Sequence, residues 1–451
     1  MTLPAPATGQ AGSRRHRDRL FLASIALLAF LGMLAAVSAT GPLPHQGRIL
    51  AKQLGALVVG GLVFLAASRI NYQVYRDQAN AVYAACLAVL AAVWLAGAAH
   101  RGHRAWLEIG PLAFQPSEFV RLGFILVLAR YLEGRAKRAD RFSTIMGALG
   151  LAAPLLVLIL AQPDISTAAT FAPIAAAMLY CAGARPFYLA AIFVCAGLAA
   201  GLPVVYTAVA ARFPAEGAGH PLAAFFLRTA HGGLPLAVLL GSAAFIGFAL
   251  WRLASWAGLR PSAPAYAAGV AAALFSIGTG VLANKAIKPY QRQRLAAYFV
   301  PARGGESSSY HLRQSKIAVG SGGLLGKGLF RGTQSQLGFL PERHTDFIFA
   351  VIAEEMGFWG GAGVLMLFMM LVRRILEAAR LSYDFYGALV CSGVAAGLGF
   401  QAFVNAGMCM GLVPIAGLPL PLVSYGGSSL VATLWSLGIV SNIYERHYRI
   451  A

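Results

Sequence analysis

Along this chain polar residues punctuate long apolar runs and seldom alternate with them. The runs begin near Leu20, Leu50, Asn80, Ser117, Thr144, Thr167, Pro186, Gly233, Ala263, Asp346, Tyr386 and Ser428. Each lasts about 20 residues, the length a helix needs to cross the hydrocarbon core of a bilayer. In lipid every backbone N–H and C=O must be bonded within the protein, which leaves helices or closed barrels. A barrel would show short alternating segments, and these runs are continuous. The pattern therefore predicts an all-α, polytopic transmembrane helical bundle of about 12 spans.

Composition agrees. Of 451 residues, 58% are hydrophobic and only 12% charged, too little charge to coat a soluble domain of this size. The net charge of +20 would suit a nucleic-acid partner, but its placement argues for membrane topology instead. An even number of spans puts both termini on one side. Arg14, Arg15, Arg17 and Arg19 make residues 1–19 a basic tail, which holds both termini in the cytoplasm and makes the first run a signal anchor. Counting forward, the loops that should face the cytoplasm carry Arg69 and Arg76; Arg135, Lys137, Arg138 and Arg141; Arg252 and Arg260; and Arg373, Arg374 and Arg380. Residues 204–288 fit the count least well, because Arg212, His220, Arg228 and His231 interrupt the apolar stretches. A re-entrant or interfacial piece there is an alternative. The five cysteines lie apart in apolar runs and have neither metal-ligand nor disulfide spacing.

The outward side then holds residues 100–116, the long loop 287–345, and residues 413–427. The long loop is rich in glycine and polar residues, too long for a simple connection, and loops of this kind tend to be functional. It concentrates positive charge in Arg292, Arg294, Arg313, Lys316, Lys327, Arg331 and Arg343. On the outer face that charge is unexpected unless something anionic binds, although a solvated loop touching lipid headgroups would look the same. At Gln115-Pro116-Ser117-Glu118 a helix start is predicted, with Ser117 and Glu118 serving its free amides. Glu118 and Arg121 share a helix face and can pair. A charged pair there faces a bundle interior or cavity more often than lipid. Asp164 either caps the sixth span or joins that polar region. Glu354 and Glu355 lie two to three turns inside a span, where at least one should point inward. Beside His344, Thr345 or Asp346 is the expected cap of the same span.

Four blocks carry a specific resemblance: WLEIGPLAFQPSEFVRL (106–122), AQPDISTA (161–168), the stretch from Tyr290 to Ala350, and NAGMCMGLVPIAGLPLPLVSYGGSSL (405–430). In this order the chain resembles the SEDS family, the RodA/FtsW/SpoVE group, and is nearest to RodA in the block from Phe339 to Ala350. The resemblance implies a core of ten spans, with a two-helix insertion at 210–286 where relatives pass directly into the long loop. It implies a bacterial inner-membrane peptidoglycan glycan-strand polymerase that uses lipid II, an undecaprenyl-diphosphate-linked disaccharide pentapeptide, beside a class B penicillin-binding protein. The implied substrate-binding residues are Trp106, Gln115, Ser117, Glu118, Arg121, Arg292, Lys316, Lys327, Gln334, Glu342, His344 and Ser424. No metal-ligand motif is present; a divalent cation, Mg or Mn, is the one cofactor the resemblance admits.

One position departs from the family. Aligning Pro301 and Tyr310 without gaps puts Gly304 where the family's proposed catalytic aspartate belongs, and glycine cannot accept a proton. Glu306 through a shifted loop, or another acid such as Asp164 or Asp346, would have to serve as base. The competing reading is a catalytically silent paralogue that scaffolds or regulates the wall-synthesis complex. A transporter of lipid-linked precursors ranks third, because its polar residues should be spread through both halves of the chain.

Overall fold

The computed structural model describes residues 18–43, 45–96, 98–100, 103–109, 112–213, 220–256, 263–299 and 306–450, apart from some side chains within them. The basic tail through Arg17 and the substituted position Gly304 lie outside the described residues, as does the side chain of Glu306. The chain divides into two units, Met1–Arg185 with Gln314–Ala451, and Pro186–Arg313.

The first unit contains α1 (Arg19–Thr40), α2 (Gln46–Arg69), the short α3 (Tyr72–Asp77), α4 (Ala79–Ala96), α5 (Pro116–Glu133), α6 (Phe142–Ala161) and α7 (Ile165–Ala182). The second contains α8 (Pro186–Arg212), α9 (Pro221–Thr229), α10 (Leu234–Trp256), α11 (Ala263–Ala286), α12 (Pro289–Phe299) and the start of α13 (Glu306–Ser321). The chain then returns to the first unit with α14 (Thr333–Gln336), α15 (Ile348–Leu381), α16 (Phe385–Met410) and α17 (Gly427–Ile450). Twelve of the described helices have 18 residues or more, and each begins within a few residues of an apolar run read from the sequence. Eight of them are long and apolar enough to cross a membrane. Of the other four, α4 falls just short in length of apolar run, and α5, α15 and α17 carry charged side chains.

Contacts at the two ends of the first unit agree with alternating helix directions. At the end carrying the basic loops, Asp18 caps α1 and also pairs with Arg374 near the end of α15 at 2.5 Å. There too, Arg76 approaches Glu133 at 3.5 Å, and Asn442 of α17 bonds the backbone of Ser68 and Tyr72. Helix α5 is central: Val120, Leu122, every residue from Phe124 to Ala129 and Leu132 are buried. Phe124 meets Phe171 of α7 with ring centroids 4.9 Å apart. Helices α2 and α17 press together at Gly438, where a Cβ would lie 2.7 Å from the Phe64 carbonyl oxygen. Small residues allow such close approach, which matters in lipid because packing replaces the hydrophobic drive between helices.

Two parts of the architecture differ from the sequence reading. The outward stretch before α5 is not plain loop: β1 (Ala98–His100), β2 (His103–Ile109) and β3 (Leu112–Phe114) form a small antiparallel sheet, with Ile109 opposite Leu112. Helix α15 is broken at Gly357, whose φ of 65° and ψ of −159° are not helical. In an unbroken helix the Phe358 and Trp359 amides would bond the carbonyls of Glu354 and Glu355. Instead Phe358 donates to Gly323 and Trp359 to Leu324, while Lys327 and Gly328 donate to Glu354 and Glu355. The glycine-rich segment 323–328 thus enters the break and satisfies all four backbone groups. Backbone of this kind is tolerated at membrane depth only where protein supplies the missing partners.

Candidate functional site

At the end of the first unit opposite the basic loops, several separated stretches meet. Pro116 occupies the first turn of α5, where a missing N–H costs nothing. Ser117 and Glu118 do not cap that helix, contrary to the sequence reading. The Ser117 hydroxyl donates to Asp164 Oδ2 at 3.4 Å, and Glu118 Oε2 accepts from Arg121 Nη2 at 2.7 Å. Both members of that ion pair are almost fully buried. Nη1 of Arg121 is buried with no protein partner among the described residues.

Asp164 takes both roles weighed for it. Its Oδ1 accepts the Thr167 amide at 3.0 Å as the cap of α7, and its Oδ2 accepts Gln115 Nε2 at 3.2 Å together with Ser117. The Gln115 amide in turn donates to Ser428 Oγ of α17 at 3.0 Å. Two of the implied residues therefore sit on one acid, joined to the start of the last helix.

A second junction is built on the last outward stretch. The Ser424 hydroxyl donates to the Thr345 carbonyl at 2.6 Å and accepts the Leu420 amide at 2.8 Å. The Tyr425 amide donates to the His344 carbonyl at 2.8 Å, and the two rings lie 5.5 Å apart. Asn405 donates to the carbonyls of Asp346 and Leu418 at 2.9 and 2.7 Å. The cap position of α15 falls beyond the expected Thr345 or Asp346. Phe347 is the cap residue of α15, and the Thr345 hydroxyl turns back to Glu342. Arg343 is nearly buried and donates from Nε to the Ala39 carbonyl at 2.6 Å; burial lowers its pKa from the usual arginine value. Ser424→Ala should lose both bonds while leaving the Thr345 carbonyl and Leu420 amide buried. A destabilisation of about 1–3 kcal/mol is expected, read as a lower unfolding temperature in detergent.

The cations of the long loop differ sharply in state. Lys327 Nζ lies 2.8 Å from Glu354 Oε1 and 2.6 Å from Thr333 Oγ1, so its charge is already matched. Lys316 is exposed, lies across Gly411 and makes no ion pair among the described residues. Glu354 and Glu355 of α15 both turn inward. Glu354 also accepts the amides of Gln334 and Ser335 at 2.8 and 3.2 Å, and Glu355 accepts the Phe330 amide at 3.1 Å and the Ser38 hydroxyl. Gln334 thus serves the loop through its backbone, while its side-chain Oε1 is buried without a partner among the described residues. Glu355 and Asn405 were not among the implied site residues; their polarity within apolar runs was the available signal.

Other implied residues are not joined to these junctions. Trp106 lies on β2 opposite Ala98 in the strand register. Arg292 belongs to the second unit, where its guanidinium donates to the Asn284 carbonyl. Glu306 opens α13 in that same unit. Among the described residues no three His, Cys, Asp or Glu side chains gather as a metal site.

Comparison with known proteins follows the same blocks. The model of the FtsW/RodA/SpoVE cell cycle proteins matches residues 18–216 and 220–449. The chain belongs to this family. It is 32% identical to the Treponema pallidum peptidoglycan glycosyltransferase RodA over 95% of this chain and 98% of that one. With the Escherichia coli peptidoglycan glycosyltransferase MrdB the identity is 31%, over 95% and 94%. Among solved structures, a chain described under structural coordination of polymerization and crosslinking by a peptidoglycan synthase complex shares 29% identity and a TM-score of 0.62, covering 96% of this chain and 99% of that one. The Thermus thermophilus rod shape determining protein RodA shares 26% identity and a TM-score of 0.58, with 96% and 98% covered. The FtsW/RodA/SpoVE assignment thus covers the central ion pair, both junctions and the broken helix.

Proposed function

We propose that this chain is a peptidoglycan glycosyltransferase that polymerises glycan strands from lipid II at the outer face of a bacterial inner membrane. The observation that carries the reading is the joining of residues 115–117, 164, 342–346 and 424–428 at one end of the bundle, in a chain aligned almost end to end with relatives named for that activity. The acceptor sugar's hydroxyl oxygen attacks the donor's anomeric carbon as the bond to the lipid diphosphate breaks. A base takes the hydroxyl proton, and the diphosphate leaves on its lipid. Lys316 offers a positive donor to that diphosphate, as charge-assisted bonds require. Glu306 is the proposed base. By analogy with the peptidoglycan synthase complex, a class B penicillin-binding protein crosslinks the product.

The second reading, a silent scaffold of the wall-synthesis complex, is favoured by Gly304 alone. Purified protein incubated with lipid II and its penicillin-binding partner separates the two. Glycan product from the wild type that disappears with Glu306→Gln supports the polymerase. Product formed only after Gly304→Asp supports the scaffold.

A further inference from the structure

Far from these junctions, at the end of the first unit that bears the basic loops, a cavity of about 600 Å³ opens along α15. It is lined by Met369, Val372, Arg373, Leu376, Glu377 and Arg380. These positions recur every three to four residues, so they form one face of the helix. Met369 is 68% exposed and Leu376 42%, so the face is open.

The charges on this face are unequal in state. Arg374 pairs with Asp18 at 2.5 Å and with Glu377 at 2.6 Å, which neutralises the one acid of the cavity. Arg373 and Arg380 are exposed and make no ion pair among the described residues. Two unmatched guanidinium groups therefore sit two turns apart, and apolar side chains continue from them toward the middle of the helix.

We propose that this face binds an anionic glycerophospholipid of the cytoplasmic leaflet, with its phosphate on Arg373 and Arg380 and an acyl chain along Met369, Val372 and Leu376. The positive charge of both arginines suits the phosphate, to which each basic group gives charge-assisted hydrogen bonds. The arginine stems reach along apolar surface while their heads stay at the interface. Basic pockets on the cytoplasmic side are a recurrent way of holding such headgroups, and each basic residue near the surface strengthens attraction to an anionic leaflet. A topological role alone would need the charges but no apolar cavity between them.

Native mass spectrometry of the full chain in detergent, with phosphatidylglycerol or phosphatidylcholine added, tests this. Phosphatidylglycerol should be retained as discrete adducts and phosphatidylcholine should not. The R373Q/R380Q double variant should retain roughly tenfold less, whereas R135Q/R138Q, on a loop at the same end, should match the wild type. Removing basic residues can disturb membrane orientation, so R373K/R380K, which preserves charge, serves as the second variant and should retain lipid close to the wild-type level. The proposal is overturned by equal retention of the two lipids, by unchanged retention in R373Q/R380Q, by an equal loss in R135Q/R138Q, or by loss in R373K/R380K.

Discussion

Glu354→Ala is expected to destabilise the protein by about 3–5 kcal/mol, the range found when one member of a buried ion pair is removed. Glu354 is fully buried and gathers Lys327 Nζ, the Thr333 hydroxyl and the amides of Gln334 and Ser335. Alanine leaves all four donors without that acceptor, two of them on the backbone of the short helix α14. The loop from Lys327 to Gln336 should then detach from α15. The readouts are a large fall in unfolding temperature in detergent and new tryptic cleavage after Lys327 and Arg331. Glu354→Gln keeps an acceptor but removes the charge, so its loss should be smaller. A Glu354→Ala protein within about 1 kcal/mol of the wild type would show that the loop is held by other means.

Gly357→Ala should have an effect of similar size for a different reason. The backbone there has φ 65° and ψ −159°, a region close to glycine-only, and a residue forced into such a conformation costs about 1–3 kcal/mol. A Cβ at this position would also lie 2.4 Å from the Gly326 nitrogen and 2.6 Å from the Leu324 carbonyl oxygen. Neither is the movable end of a side chain, so segment 323–328 must withdraw and its four hydrogen bonds with the broken helix must be lost. Hydrogen exchange should show faster exchange at the amides of Lys327, Gly328 and Phe358. Gly361→Ala on the same helix is the control: its Cβ would meet the Phe349 ring at 3.3 Å, which a small ring movement relieves. If both variants exchange alike, the break at Gly357 is not what holds the loop.

Both variants bear on the proposed chemistry, because the segment they release leads directly to Gln334, Glu342 and His344. A polymerase built on this end of the bundle should lose activity together with the loop's protection. Loss of protection with full activity would remove the loop from the reaction. The functional role of this segment therefore depends on a contact hidden about two turns down a helix.

The sequence alone determined where the twelve long helices of the described residues begin, and the Glu118–Arg121 pair. These depend on local rules: a run of about twenty apolar residues is long enough to span lipid as a helix, and residues three apart on a helix meet. The four blocks, in the family's order, likewise placed the chain in its family. Only the tertiary structure decided that Asp164 both caps α7 and joins Gln115 to Ser117, that Lys327 is matched while Lys316 is not, and that Glu354 and Glu355 fasten a segment inserted into their own helix. The pairings that decide these choices join residues well separated in the chain, 49 apart for Gln115 and Asp164 and 27 apart for Lys327 and Glu354. Periodicity reports which face of a helix is apolar, but a buried acid's partner depends on which distant donor the fold delivers to it.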